Sequence, residues 1–132
     1  MQFQCDTTAR VPIYRQLMDQ VREAMARGRI QPGERLPSVR QLARELVVNP
    51  NTIAKAYSEL ERVGVLNTRP GLGVFIAKPQ ADLSSKVRKQ RLLAALDLCL
   101  TEAVHLGFTE GEVTAAWTQQ IKQFQFPKAR GA

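Results

Sequence analysis

The segment Leu36-Pro37-Ser38-Val39-Arg40-Gln41-Leu42-Ala43-Arg44-Glu45-Leu46-Val47-Val48-Asn49-Pro50-Asn51-Thr52-Ile53-Ala54-Lys55-Ala56-Tyr57 carries two helix starts separated by a tight break. Ser38 is a good N-cap, because its hydroxyl oxygen can accept an orphan N–H of the first turn, and Gln41 falls at the capping-box position. Val39, Leu42, Ala43 and Leu46 mark the buried face of the helix that follows. That helix is only about eight residues long, so packing rather than propensity must hold it. The break falls at Val47-Val48-Asn49. Asn49 can cap the next helix, and Pro50 can be its first residue, where a missing N–H costs nothing. Ile53, Ala56, Tyr57 and Leu60 recur at helical spacing, and Gly64 ends the run. Two short helices joined by a three-residue turn make a helix-turn-helix.

Upstream, Ile13, Leu17, Val21 and Ala24/Met25 repeat with helical period. Pro12 is expected at the first helical position and Gly28 as the stop. Gln31-Pro32-Gly33 reads as a turn. Downstream, Val65 to Arg69 reads as a strand, Pro70-Gly71-Leu72-Gly73 as a turn, and Val74 to Ala77 as a second strand. A β-hairpin placed there is the wing of a winged helix-turn-helix. The pattern changes near Lys78-Pro79-Gln80, so the expected domains are residues 1–79 and 80–132. Leu83, Val87, Leu93, Leu96, Leu100 and Val104 suggest one long helix, closed by Gly107. Thr109 and Glu112 hold capping-box spacing, and Val113, Trp117, Ile121 and Phe124 line a final helix. Two helices bury little alone, so their stripes ask for a partner, most simply a second copy of the chain. Leu93, Leu96, Leu100, Trp117, Ile121 and Phe124 are the candidate dimerisation residues. The expected fold is mostly α with a small β-hairpin: an N-terminal winged helix-turn-helix and a C-terminal two-helix dimerisation tail.

Composition narrows the function. The 132 residues carry 19 Lys and Arg against 12 Asp and Glu, a net charge of +7. Residues 1–79 hold 12 basic and 7 acidic side chains, or +5, and the remainder contributes +2. Such an excess suits a polyanion, either nucleic acid or an acidic membrane surface. The chain is short for a barrel enzyme, which needs roughly 200 residues or more. Cys5 and Cys99 have no metal spacing and read as two reduced thiols. The first ten residues lack the apolar run of a signal peptide, and no stretch approaches the roughly 18 apolar residues of a membrane span. A soluble cytoplasmic protein with no membrane partner is expected. His105, near a helix end, reads as structural rather than catalytic. There is no phosphate loop, GxGxxG or GxSxG, so no enzyme, metal or cofactor is expected.

The candidate contacts follow from chemistry. Asn51, Thr52 and Lys55 are the polar residues at the start of the second helix of the pair. Asn can pair with adenine, Thr can reach a base or a methyl, and Lys can reach guanine or a phosphate. Arg35, Arg40 and Arg44 lie on or before the first helix of the pair, where guanidinium forks suit phosphate oxygens; a solvated charged face is the plainer alternative. Ser38 and Asn49 can serve both as caps and as backbone seats for phosphate. Arg69 and Gly71 would lay the wing along the minor groove, although a plain hairpin turn needs the same glycines. Lys86, Arg88, Lys89 and Arg91 read as a solvated face or as flanking phosphate contacts.

These runs resemble the GntR family of winged-helix repressors. The resemblance is carried by Val11 to Leu17, Ile30 to Ala43, Val48 to Tyr57, Glu59-Leu60-Glu61 and Arg69 to Phe75. The Asn49-Pro50-Asn51-Thr52 form resembles the YtrA-like and MocR-like branches. The stretch after Pro79 is far shorter than the aminotransferase-type domain of MocR-like proteins, so it is similar to the YtrA-like tail, a dimerisation element. The resemblance implies DNA contacts from Arg40, from Asn49 to Thr52 and from Gly71, with Arg35 carrying less weight. Many relatives have Arg or Ser where Pro50 stands. A homodimeric, sequence-specific repressor on a palindromic double-stranded DNA operator is therefore expected. A winged-helix protein-docking module is the alternative from another class. No small-molecule effector is indicated.

Overall fold

The computed structural model describes residues 1–78 and 84–127. Pro79, Gln80 and Leu83 lie outside the described residues. Two compact units form: residues 1–78 with 125–127, and residues 84–124.

In the first unit, α1 spans Ile13–Ala26 and buries Leu17, Met18, Val21 and Ala24. Pro12 sits just outside it, at the N-cap, where its carbonyl accepts the Arg15 and Gln16 N–H groups. Gly28 adopts φ 73° and turns the chain so that the Arg29 N–H bonds back to the Ala24 carbonyl. The Ala26 carbonyl, an orphan of the helix end, takes the Gln125 N–H at 2.7 Å. The segment after the last helix thus caps α1.

The helix pair forms as expected. Helix α2 is Val39–Leu46, and Ser38 Oγ accepts the Gln41 N–H at 3.1 Å. The Gln41 amide donates to Glu45 rather than returning to Ser38, so only half of the capping box exists. Helix α3 is Pro50–Arg62, with Asn49 Oδ1 accepting the Asn51 N–H at 2.9 Å. Tyr57 is buried and donates its hydroxyl to the Pro37 carbonyl at 2.7 Å, pinning α3 to the turn before α2. Burial, with the Glu45 charge nearby, pushes its pKa above the ordinary tyrosine range, so this donor stays protonated. Leu17, Val21, Leu42, Ile53, Leu60, Leu66 and Ile76 form the fully buried centre, each contributing about 1.5–3 kcal/mol of burial.

The turn between α2 and α3 falls at Val47-Val48-Asn49 as expected, but its backbone conformation is not announced by residue type. Val47 takes φ 54°, ψ 49° and is 90% exposed. A left-handed conformation costs an L-residue roughly 1–2 kcal/mol, and a β-branched one is a true outlier. Glycine would relieve that strain but adds unfolded-chain entropy of about 0.5–1 kcal/mol. Val47→Gly is therefore expected to stabilise the unit by about 0.5–1 kcal/mol, read as a raised urea midpoint. A lowered midpoint would contradict this account.

The wing is a three-stranded antiparallel sheet rather than a lone hairpin. Strands β1 (Arg35–Leu36), β2 (Leu66–Arg69) and β3 (Gly73–Ile76) run in the order β1-β3-β2. The two residues of β1 are too few to show alternation, so this strand left no pattern. Val65 stays outside β2 because its N–H closes α3 on the Leu60 carbonyl. Gly73 joins β3 opposite Arg69, and Ala77 falls after it. The register puts Leu36, Leu66, Val74 and Ile76 toward the core, and Arg35, Asn67, Arg69, Gly73 and Phe75 on the other face.

The second unit holds α4 (Ser85–His105) and α5 (Glu110–Ile121). Ser84 caps α4, and Thr109 with Glu112 forms a complete capping box on α5. Gly107 turns the chain at φ 84°. Helix α5 stops at Ile121, so Phe124 lies past it instead of continuing its stripe. Neither helix has a buried residue. Cys99 is exposed and Cys5 half-buried, both as free thiols; His105 is exposed at the end of α4.

Candidate nucleic-acid interface

The caps place the polar residues of α3. Because Asn49 is spent on the Asn51 N–H and Pro50 fills the first position, the helix begins abruptly, with Asn51 exposed and Thr52 half-buried. Among the described residues the exposed Asn51 side-chain amide has no hydrogen-bond partner, so its donor and acceptor are both unspent. Arg40 is exposed in the first turn of α2, and Ser38 keeps a free hydroxyl proton after capping. The cations are unmatched. Among the described residues no carboxylate lies within ion-pair distance of Arg35, Arg40, Lys55 or Arg69; the pairs present are Arg27–Glu23 and Arg62–Glu59.

Arg35 belongs to the wing rather than to α2. It pairs across from Phe75, and a Cβ on Gly73 would come within 2.8 Å of its Nε. Glycine at 73 therefore leaves the guanidinium room to lie over β3. Arg69 stacks on the Phe75 ring at 4.7 Å, so two arginines flank one aromatic on the outward face. Gly71 stands at the tip with φ 77° and open space around it. Leu72 beside it is exposed, an apolar side chain at the tip.

Sequence spacing also missed Tyr14. Together with Pro12 and Ile13 it faces Asn51, Thr52 and Lys55 across a shallow concavity of about 600 Å³. The Lys55 ammonium lies 4.1 Å from the Tyr14 ring centroid. Tyr14 shares the Leu17/Val21 face of α1 at i+3 and i+7 spacing and is half-buried against the core, and only the tertiary packing of α1 on α3 brings its ring to Lys55. Lys86, Arg88, Lys89 and Arg91 are exposed on the first two turns of α4. Among the described residues, no cluster of His, Cys, Asp and Glu could hold a metal, and no helix is long and apolar enough to cross a membrane.

A helix pair with a capped, polar second helix, followed by a sheet whose outer face is basic, defines a winged helix-turn-helix DNA-binding protein. Residues 13–76 match the family model for bacterial regulatory proteins of the gntR family. The chain is 39% identical over 102 residues to the uncharacterized HTH-type transcriptional regulator YhcF of Bacillus subtilis, covering 77% of this chain and 84% of that protein. It is 35% identical over 118 residues to the HTH-type transcriptional repressor YtrA of the same organism, covering 89% and 90%. Among solved structures, a transcriptional antiterminator from Listeria monocytogenes superposes with a TM-score of 0.75 at 32% identity, covering 99% of this chain and 98% of that one. YtrA from Sulfolobus acidocaldarius, a GntR-family transcription factor, gives 0.55 at 26% identity, covering 92% and 97%. The chain belongs to the GntR family and is a DNA-binding transcriptional regulator.

Proposed function

We propose that the chain is a cytoplasmic, homodimeric repressor of a palindromic operator. Residues 1–79 bind DNA and residues 80–132 dimerise. Helix α3 enters the major groove, where Asn51 and Thr52 read bases. Arg40 and Lys55, with the caps Ser38 and Asn49, fix the frame on phosphates, and Arg35, Arg69 and Gly71 carry the wing along the minor groove. The observation that carries this reading is the Asn51 amide at a capped helix start, unpartnered among the described residues and lining one concavity with Lys55, which has no carboxylate partner among them either. Repression draws support from the likeness to YtrA over nearly its whole length. The dimer draws support from α4 and α5, which expose Leu93, Leu100, Trp117 and Ile121 and half-bury Leu96, and from Phe124, half-buried just beyond.

Selection from a random DNA pool is expected to return a palindrome with half-sites about 10 bp apart, centre to centre, or a multiple of that. Arg40→Ala is expected to weaken operator and random DNA alike and to reduce the slope of log affinity on log salt by about 1. Duplex binding that ignores salt, or no duplex binding, would replace this reading with a protein-docking module.

A further inference from the structure

Helix α3 carries its candidate base readers in its first turn, at Asn51 and Thr52. Lys55 projects one turn later, and its ammonium rests over the Tyr14 ring of α1. We propose that Tyr14 is a positioning residue for DNA binding. Its ring holds the Lys55 ammonium at the mouth of the α1–α3 concavity, as a seat for a backbone phosphate and not as a base reader. This rests on the DNA-binding reading above and assigns one part of it.

Three features support the assignment. A compact ammonium is a point charge that suits a phosphate, whereas base discrimination favours planar, bidentate groups. The ring face attracts the cation and holds it toward α1, so the long lysine chain loses less rotamer freedom when a phosphate arrives. Pro12 and Ile13 complete an apolar floor next to that charge, which matches the alternation of sugar and phosphate along a strand.

The test uses the full chain with Tyr14→Leu, Tyr14→Phe, Lys55→Ala and the Tyr14→Leu/Lys55→Ala double variant. In the free protein, ring current is expected to shift the Lys55 ε-methylene protons upfield in wild type and in Tyr14→Phe, and the shift should vanish in Tyr14→Leu. Tyr14→Leu is expected to weaken operator and random duplex by the same factor, about two- to fivefold, as an exposed cation–π contact allows. In the Lys55→Ala background the same change should have almost no effect, and Tyr14→Phe should bind as wild type. An unshifted Lys55 in wild type, independent losses in the double variant, or a loss confined to operator would overturn the assignment. A wild-type chain without salt-sensitive duplex binding would instead remove the DNA reading beneath it.

Discussion

Leu96→Asp is expected to convert the proposed dimer into a monomer in sedimentation and to weaken operator binding about 100-fold or more. The argument starts from the helix itself. In α4, Leu92, Leu93, Leu96, Cys99, Leu100, Ala103 and Val104 share one arc of the wheel, with Leu96 near its middle. Among the described residues that arc is covered only in part: Leu96 and Ala103 are half-buried, but Leu93 and Leu100 are each 47% exposed, and Trp117 of α5 is 50% exposed. Contiguous apolar surface of this kind marks an association site in a soluble protein. A two-fold interface meets itself, so one substitution places two carboxylates in the same apolar layer. An ionised carboxylate without a partner is expensive to bury there, and the complex dissociates instead. Operator affinity falls with it, because each winged helix then binds its half-site alone and the effective-concentration advantage of linkage is lost. The first unit has its own buried centre, so its unfolding midpoint should not move. A stable Leu96→Asp dimer would place the interface elsewhere.

What the sequence disclosed depended on whether a signal was local. Caps act within three residues, so Ser38, Asn49 and Thr109 were readable, as were the stripes that became the buried faces of α1, α2 and α3. Strand β1 escaped because two residues have no period, although its pairing with β3 turns the hairpin into a sheet. Val47 escaped for another reason: nothing in its residue type announces a left-handed conformation, which the turn imposes against preference. Arg35 was legible as a cation but not as a wing residue, since its place over Gly73 depends on strand register. Tyr14 and Lys55 meet only because α1 packs on α3. Phe124 followed the α5 spacing on paper, but the helix ends at Ile121. The place of Asn51, Thr52 and Lys55 at the start of α3 was legible, because the Asn49 cap and Pro50 fix where that helix begins before any packing is known.

Asn51→Ala is expected to weaken operator binding by about 10- to 100-fold, or about 1–3 kcal/mol, while affinity for random duplex changes less than about twofold. The two halves of that statement have different causes. The Asn51 side chain is neutral, so removing it releases no counterion and leaves the electrostatic term, which dominates non-specific binding, unchanged. Among the described residues its amide is also unpartnered, so the loss falls on whatever it meets in the groove. The backbone N–H that Asn49 caps survives the substitution, and alanine is a better helix former than asparagine by about half a kcal/mol. Folding stability should therefore hold or rise slightly, which separates this outcome from a variant that binds poorly because it unfolds. The contrast with Arg40→Ala is diagnostic, since the arginine should lower both affinities and the salt slope together. If Asn51→Ala kept the wild-type ratio of operator to random DNA, the start of α3 would not read sequence, and discrimination would have to come from Thr52 or from DNA shape at the wing.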